Sequence, residues 1–310
     1  MTKLERPDAP LIAALERARI HPLWDRYQRI TPMVPKPVDA PMHWRWRDVE
    51  PFAQRAAKEV GIEDVERRAL ILANPAFGGA TVTTQNLIGA FTVLEPGDKA
   101  VPHRHTAAAI RFATRAEGAV TIVNGRRCEM HQGDLVLTPP MCWHGHINEG
   151  KRRTVWFDAA NMPAICNLDA SFFEPGKRQD ERFWEVGTEG SGEYRFPWTG
   201  AEHGLAPAAD GSLTYRYSRA GGSVMPTLDL YLKRIRQKTK EARSTCSAVC
   251  LVVSGEGRSQ VGEQTFEWSQ HDVFTIPHWT WASHQGSGDL FIVTDRAIYE
   301  RLELLREEIR

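Results

Sequence analysis

Short runs of alternating apolar and polar residues, each closed by a turn signal, fill the middle of the chain. Ala119 to Val123 reads as one strand and Leu135 to Leu137 as another. Asn124-Gly125 supplies a hairpin signal after the first run, and Gly133-Asp134 opens the second. Arg67 to Leu72 begins the sheet, and Thr81 to Leu94 supplies further strands. Helical spacing is confined to the ends of the chain. Pro10 to Tyr27 carries Leu11, Ala14, Leu15 and Ala18 on one face, and Val49 to Val60 forms a second helix stopped by Gly61. Pro32, Pro35, Pro37 and Pro41 mark an extended arm between them. Ala297 to Ile309 is expected to end the chain as a charged amphipathic helix. The pattern predicts a mainly β protein with an N-terminal helical arm.

Within this pattern three histidines stand out. His103 and His105 form a His-x-His pair, and His144 follows about forty residues later. Alternate residues of a strand share a face, so His103 and His105 project together while Arg104 points away. The intervening hairpins can fold His144 back onto the pair, and three imidazoles suit a divalent transition metal with positions left for substrate and oxygen. Three unrelated core or surface histidines would be the alternative. Cys142, two residues before His144, is either a soft ligand or, more simply, a packing residue beside Trp143.

Two neighbours share the inward parity. Arg111 lies six residues after His105, and a buried guanidinium needs an anion, either a substrate carboxylate or a structural partner such as Asp134 or Asp158. His146 shares the parity of His144 and is either a fourth ligand or an acid/base group.

Composition narrows the function classes. With 310 residues and 42% hydrophobic content the chain can bury a sizeable core, as one large domain or two smaller ones. Its 39 basic and 39 acidic residues cancel, giving no reason to propose a nucleic-acid or membrane partner. No apolar run approaches the roughly 18–20 residues of a membrane span, and Met1 to Arg6 lacks a signal-peptide core, so a cytoplasmic location is expected. Five cysteines, without a C-x-x-C pair, argue against a disulfide framework.

Gly97, His103 and His105, with Gly133, Pro139, His144 and Asn148, stand at the spacing of the two cupin motifs. Met141 departs from the second motif, where the pattern has glycine. Ile110 departs from the first, where the pattern has a metal-binding glutamate. The longer stretches His103 to Phe112 and Leu137 to His146, and the lead-in segments Trp44 to Arg47, Glu66 to Arg68 and Asn74-Pro75, resemble the gentisate 1,2-dioxygenase family, which includes salicylate, 5-nitrosalicylate and 1-hydroxy-2-naphthoate dioxygenases.

The resemblance implies a bicupin, two double-stranded β-helix jelly-roll barrels, with Fe(II) held by His103, His105 and His144. It implies cleavage of gentisate or a 5-substituted salicylate between carbons 1 and 2 with O2. Arg111 would orient the substrate carboxylate, His146 would manage the proton of its hydroxyl, and Asp158 would orient Arg111 or His146. Arg67 or Arg68 would help hold the carboxylate, and Trp143 joins the substrate-binding set. Thr92 stands where the family commonly has glutamine, which implies an altered pocket around the ring. A homo-oligomer, a tetramer by the same resemblance, is expected. Two other classes are a cupin isomerase, which needs no redox metal, and a non-catalytic binding cupin, which would normally carry a DNA-binding segment.

The second half repeats the first in degraded form. Glu256-Gly257 aligns with Glu117-Gly118, His271-Asp272 with Gly133-Asp134, and Ile276-Pro277 with Thr138-Pro139. Counting from these anchors puts Ala242, Ser244 and Ala282 at the ligand positions, so the second barrel is expected to be metal-free, with His278 and His284 as ordinary polar residues. The basic run from Lys233 to Arg243 reads most simply as a solvated strand face, the alternative being a patch that helps draw anionic substrates inward. The expected layout is an arm over 1–66, a metal-binding barrel over 67–165, a connector over 166–212 and a second barrel with a C-terminal helix over 213–310.

Overall fold

The computed structural model describes residues 8–310. It comprises a unit ending at Lys36 and a larger one from Pro37 to Arg310. In the first, the expected single helix from Pro10 to Tyr27 is two, Ala9–Arg17 and Leu23–Ile30. Arg19 takes a positive φ of 58°, and Pro22 favours an extended residue before it, so the helix cannot run through. Trp24 Nε1 donates to Asp8 Oδ2 at 3.0 Å and Arg26 pairs with Glu16 at 2.8 Å, tying the two helices together. Leu11, Leu23, Trp24, Tyr27 and Ile30 remain exposed.

The larger unit holds both barrels. The first is built from two antiparallel sheets. One runs in the order Arg195–Phe196, Leu135–Thr138, Ala109–Arg115, Thr154–Ala160, Ile88–Leu94, Arg68–Ile71; the other runs Phe173–Pro175, His103–His105, His144–Asn148, Ala119–Val123, Arg126–Glu129. Asn124 and Gly125 have φ of 46° and 73°, the two left-handed positions that close a tight hairpin between Ala119–Val123 and Arg126–Glu129. Residues 81–87, expected as strand, form a loop instead. There the Thr83 hydroxyl donates to the Leu72 carbonyl at 2.7 Å, and the Gly89 amide donates to that hydroxyl at 2.8 Å.

Alternation along Ala109–Arg115 sets what faces where. Ile110 and Phe112 join an apolar core shared with the second barrel, and Arg111 and Ala113 turn into the first barrel. Position 110, where the motif has a glutamate, therefore faces away from the site. Phe112 stacks on Phe291 of the second barrel with ring centroids 4.2 Å apart, and burying each such ring stabilises by roughly 1.5–3 kcal/mol.

The second barrel is one eleven-stranded sheet that also takes in His43–Trp44 from the arm, paired with Val273–Ile276. His43 Nε2 lies 3.1 Å from Asp272 Oδ2, and the Trp46 amide donates to Asp272 Oδ1 at 2.7 Å, where the helix Trp46–Glu59 starts. The connector is likewise partly built into the barrels, since Phe173–Pro175 and Arg195–Phe196 are strands of the first. The expected terminal helix is shorter, Arg296–Arg301. Glu307–Ile309 is instead a strand on Ala242–Ser244, where ladder hydrogen bonds and the Arg243–Glu308 ion pair outweigh helical propensity. Among the described residues, no helix is long and apolar enough to cross a membrane.

Candidate metal centre and substrate pocket

His103 sits directly opposite His144 in the ladder between their strands, with ring centroids 4.2 Å apart, and His105 lies 4.9 Å from His144. One ligand atom from each of the three lies within 4.8 Å of the others, and all three side chains are buried. Each Nδ1 meets a backbone carbonyl two residues away: His103 with Val101 at 2.8 Å, His105 with Ala107 at 2.8 Å, His144 with Cys142 at 2.9 Å. A carbonyl only accepts, so Nδ1 carries the hydrogen in all three and each Nε2 keeps its lone pair. His144 Nε2 is buried with no hydrogen-bond partner, and Arg67 NH1 points at His103 Nε2 from 3.3 Å. Three convergent imine lone pairs, one of them orphaned, fit a divalent metal.

Electrostatics favour the neutral form of His105 and His144. Burial, followed by the Arg111 charge, pushes His105 down to about 4, and the same two causes hold His144 and His146 well below the usual histidine range. Glu66 Oε1 lies 3.0 Å from His103 Nδ1. Burial works against its carboxylate, but His103 and Arg67 outweigh it and hold Glu66 at about 2.

A cavity of about 260 Å³ opens beside His103 and His105. Its polar end carries Glu66, Arg67, Arg111 and Asp158, and elsewhere its wall is largely apolar, with Ala109, Ala160 and Ile88 in one cross-strand row and Met162 following. Arg111 NH1 donates to Thr138 Oγ1. Its Nε lies 3.4 Å from Asp158 Oδ1 without hydrogen-bond geometry, leaving a buried donor unpartnered. Burial lowers Arg111 to about 10, still charged at neutral pH. Asp158 also accepts from Thr92 Oγ1 and, at 3.0 Å, from Trp156 Nε1.

The cupin domain family matches residues 90–160, the stretch that carries all three histidines. A 5-aminosalicylate 1,2-dioxygenase of Comamonas sp is 33% identical over 95% of this chain and 88% of that protein. A gentisate 1,2-dioxygenase of Streptomyces sp is 32% identical, covering 96% and 94%. The crystal structure of a salicylate 1,2-dioxygenase from Pseudoaminobacter salicylatoxidans with gentisate superposes with a TM-score of 0.89 at 30% identity, over 100% of this chain and 96% of that one. The chain belongs to the gentisate and salicylate 1,2-dioxygenase family. It is a bicupin and an oxidoreductase of the ring-cleaving 1,2-dioxygenase type.

The remaining sequence-derived residues of this dioxygenase divide between the cavity and its surroundings. Of the pair Arg67 and Arg68, only Arg67 lines the cavity; Arg68 turns away, donating to the Val60 carbonyl at 2.6 Å and to Asp98. Trp143 lies outside it, under the Arg104 guanidinium at 5.1 Å. Thr92 stands behind Asp158 and His146 behind His144, with His146 Nδ1 2.9 Å from Thr121 Oγ1. Cys142 Sγ accepts from Asn124 and is not part of the imidazole cluster. Phe173, which stacks on His103 at 5.3 Å, lines the cavity but was not assigned to it from sequence. The Phe172-Phe173 pair in the connector was its only signal.

Proposed function

We propose that this dioxygenase holds Fe(II) on His103, His105 and His144 and cleaves gentisate or a 5-substituted salicylate between carbons 1 and 2, using O2. The observation that carries this reading is the buried trio of imine lone pairs, two of whose histidines line the cavity that also holds an incompletely partnered Arg111. Bound iron supplies electron exchange between the aromatic ring and dioxygen. Arg111 binds the substrate carboxylate through its free donor, and Asp158 fixes the guanidinium while Thr92 and Trp156 fix Asp158. His146, neutral because it is buried, is held at Nδ1 by Thr121 behind His144, outside the cavity wall, and is the further imidazole available to the proton of the substrate hydroxyl once substrate is bound. Arg67 and Phe173 border the ring.

One observation favours a second reading within the family. The row of Ala109, Ala160 and Ile88 offers no side-chain partner for a 5-hydroxyl and suits the larger apolar ring of 1-hydroxy-2-naphthoate. The exposed apolar residues of the N-terminal helices suit a homo-oligomer.

Oxygen uptake by Fe(II)-reconstituted protein, with the near-ultraviolet spectrum followed in parallel, tests the proposal with gentisate, salicylate, 5-nitrosalicylate and 1-hydroxy-2-naphthoate. Uptake of one O2 per ring lost is expected. Bound iron with no uptake on any of the four would contradict it, and activity retained under nitrogen with a redox-inert metal would point to an isomerase.

A further inference from the structure

The two barrels share more than topology. Ala242 faces Ala282 across the ladder as His103 faces His144. A three-residue edge strand covers each, Glu307–Ile309 on Ala242–Ser244 and Phe173–Pro175 on His103–His105. Arg243 pairs with Glu308 and stacks on Trp281, as Arg104 pairs with Glu174 and stacks on Trp143. Ser259 Oγ meets His284 Nδ1 at 2.8 Å, as Thr121 meets His146.

Only the interior differs. Ala242, Ser244 and Ala282 replace the three imidazoles, and at matching ladder positions Cys250, Ile292 and Lys233 replace Arg111, Asp158 and Thr92. Two of the matching positions carry larger side chains, Lys233 for Thr92 and Tyr231 for Ala90, yet the space is not filled. A cavity of about 520 Å³ remains, against about 260 Å³ in the first barrel.

The arginines of this cavity, Arg216, Arg243 and Arg296, are paired with Asp229, Glu308 and Glu307, which leaves Lys233 and His284 as donors beside its apolar stretch. Trp268 Nε1, which can only donate, gives its hydrogen to Ser259 Oγ at 2.9 Å. Ser259 Oγ also meets His284 Nδ1, and with the serine hydrogen given to that nitrogen the imidazole hydrogen stands on Nε2. Burial, with the nearby Lys233 charge, pushes His284 down to about 3 and keeps it neutral. Lys233 Nζ donates to Asp210 Oδ2, leaving two of its three hydrogens for another acceptor. Both residues line the cavity with Ala242, Ala282, Ile276 and Ile292. Asp210 excludes a strongly anionic ligand. One carboxylate shared between the ammonium and the imidazole N–H, with its body on the apolar stretch, satisfies both donors.

We propose that the second barrel is a metal-independent binding site for a small organic monocarboxylate with an apolar body, held by Lys233 and His284. The site stands apart from the metal centre and does not depend on the reaction proposed there.

Fluorine NMR of 4-fluorobenzoate titrated into the whole protein tests it, with chelator-treated protein and the variants Lys233→Met, Ala282→Phe and Arg111→Met. A saturable bound signal is expected that survives chelation and Arg111→Met. Lys233→Met should weaken it by at least about tenfold, the effect of losing a charge-assisted hydrogen bond. Ala282→Phe fills the cavity and leaves the Lys233–Asp210 pair intact; it should abolish the signal, and it decides the matter if Lys233→Met does not fold. A signal lost with the metal or with Arg111, a signal indifferent to Ala282→Phe, or no saturable binding overturns the proposal.

Discussion

The Met141 amide donates to the carbonyl of His105 at 2.7 Å, so the loop after one motif is fastened to the metal-site strand of the other. Met141 accepts this geometry with a φ of 60°, at the position where the motif has glycine. Its counterpart Trp279 does the same, with a φ of 53° and a 2.6 Å bond to the Ser244 carbonyl. The fold thus requires a left-handed residue at this point whether or not a glycine supplies it. Met141→Gly should relieve the side-chain penalty and raise stability by about 0.5–1 kcal/mol, a rise in Tm of roughly 1–4 °C. A lower midpoint in a thermal scan would mean that Met141 contributes packing that outweighs its backbone strain.

Arg111 is the cation most deeply set in the first cavity, and its Nε has no hydrogen-bond partner. Arg111→Met is expected to lower kcat/KM for aromatic hydroxy acids by about ten- to a hundredfold, chiefly through KM, from the loss of a charged hydrogen bond. An unchanged KM would remove Arg111 from carboxylate binding.

His278 was read from the sequence as an ordinary polar residue. In the fold it is buried, with Nε2 3.1 Å from Asp295 Oδ2 and with Asp39 also close enough to act on it. Burial lowers its pKa, but the bond to Asp295 and the two carboxylate charges outweigh burial and raise it. A raised folded pKa contributes stability that is complete below the unfolded value, about 6.5, and is lost as pH rises through the folded value. His278→Gln should therefore flatten the decline in stability as pH rises above about 6.5, as read from urea midpoints at several pH values. An identical pH dependence in the variant would exclude the pair as its source.

Legibility in the sequence followed periodicity. The alternation of His103 and His105 and the turn at Asn124-Gly125 were enough to place the metal site, because a strand of period two fixes which side chains share a face. The degraded repeat was legible for the same reason, and the Ala242 to Ala282 register follows it. Glu307–Ile309 was not, because a three-residue edge strand is specified by the partner it pairs with, and its own charges read equally well as helix. Lys233 was assigned to a solvated face because a charge run carries no sign of the buried carboxylate, Asp210, that meets one of its members. Glu66 lay within a recognised lead-in segment, but its place beside His103 depends on a contact 37 residues apart in sequence.

Iron content and oxygen uptake measured together on the wild type, His105→Ala and His203→Ala test the central claim most directly. His203 is an exposed histidine remote in sequence from the cluster. One iron per chain and full turnover are expected for the wild type and His203→Ala, and neither for His105→Ala. Iron and turnover retained in His105→Ala would contradict the assignment of the metal centre.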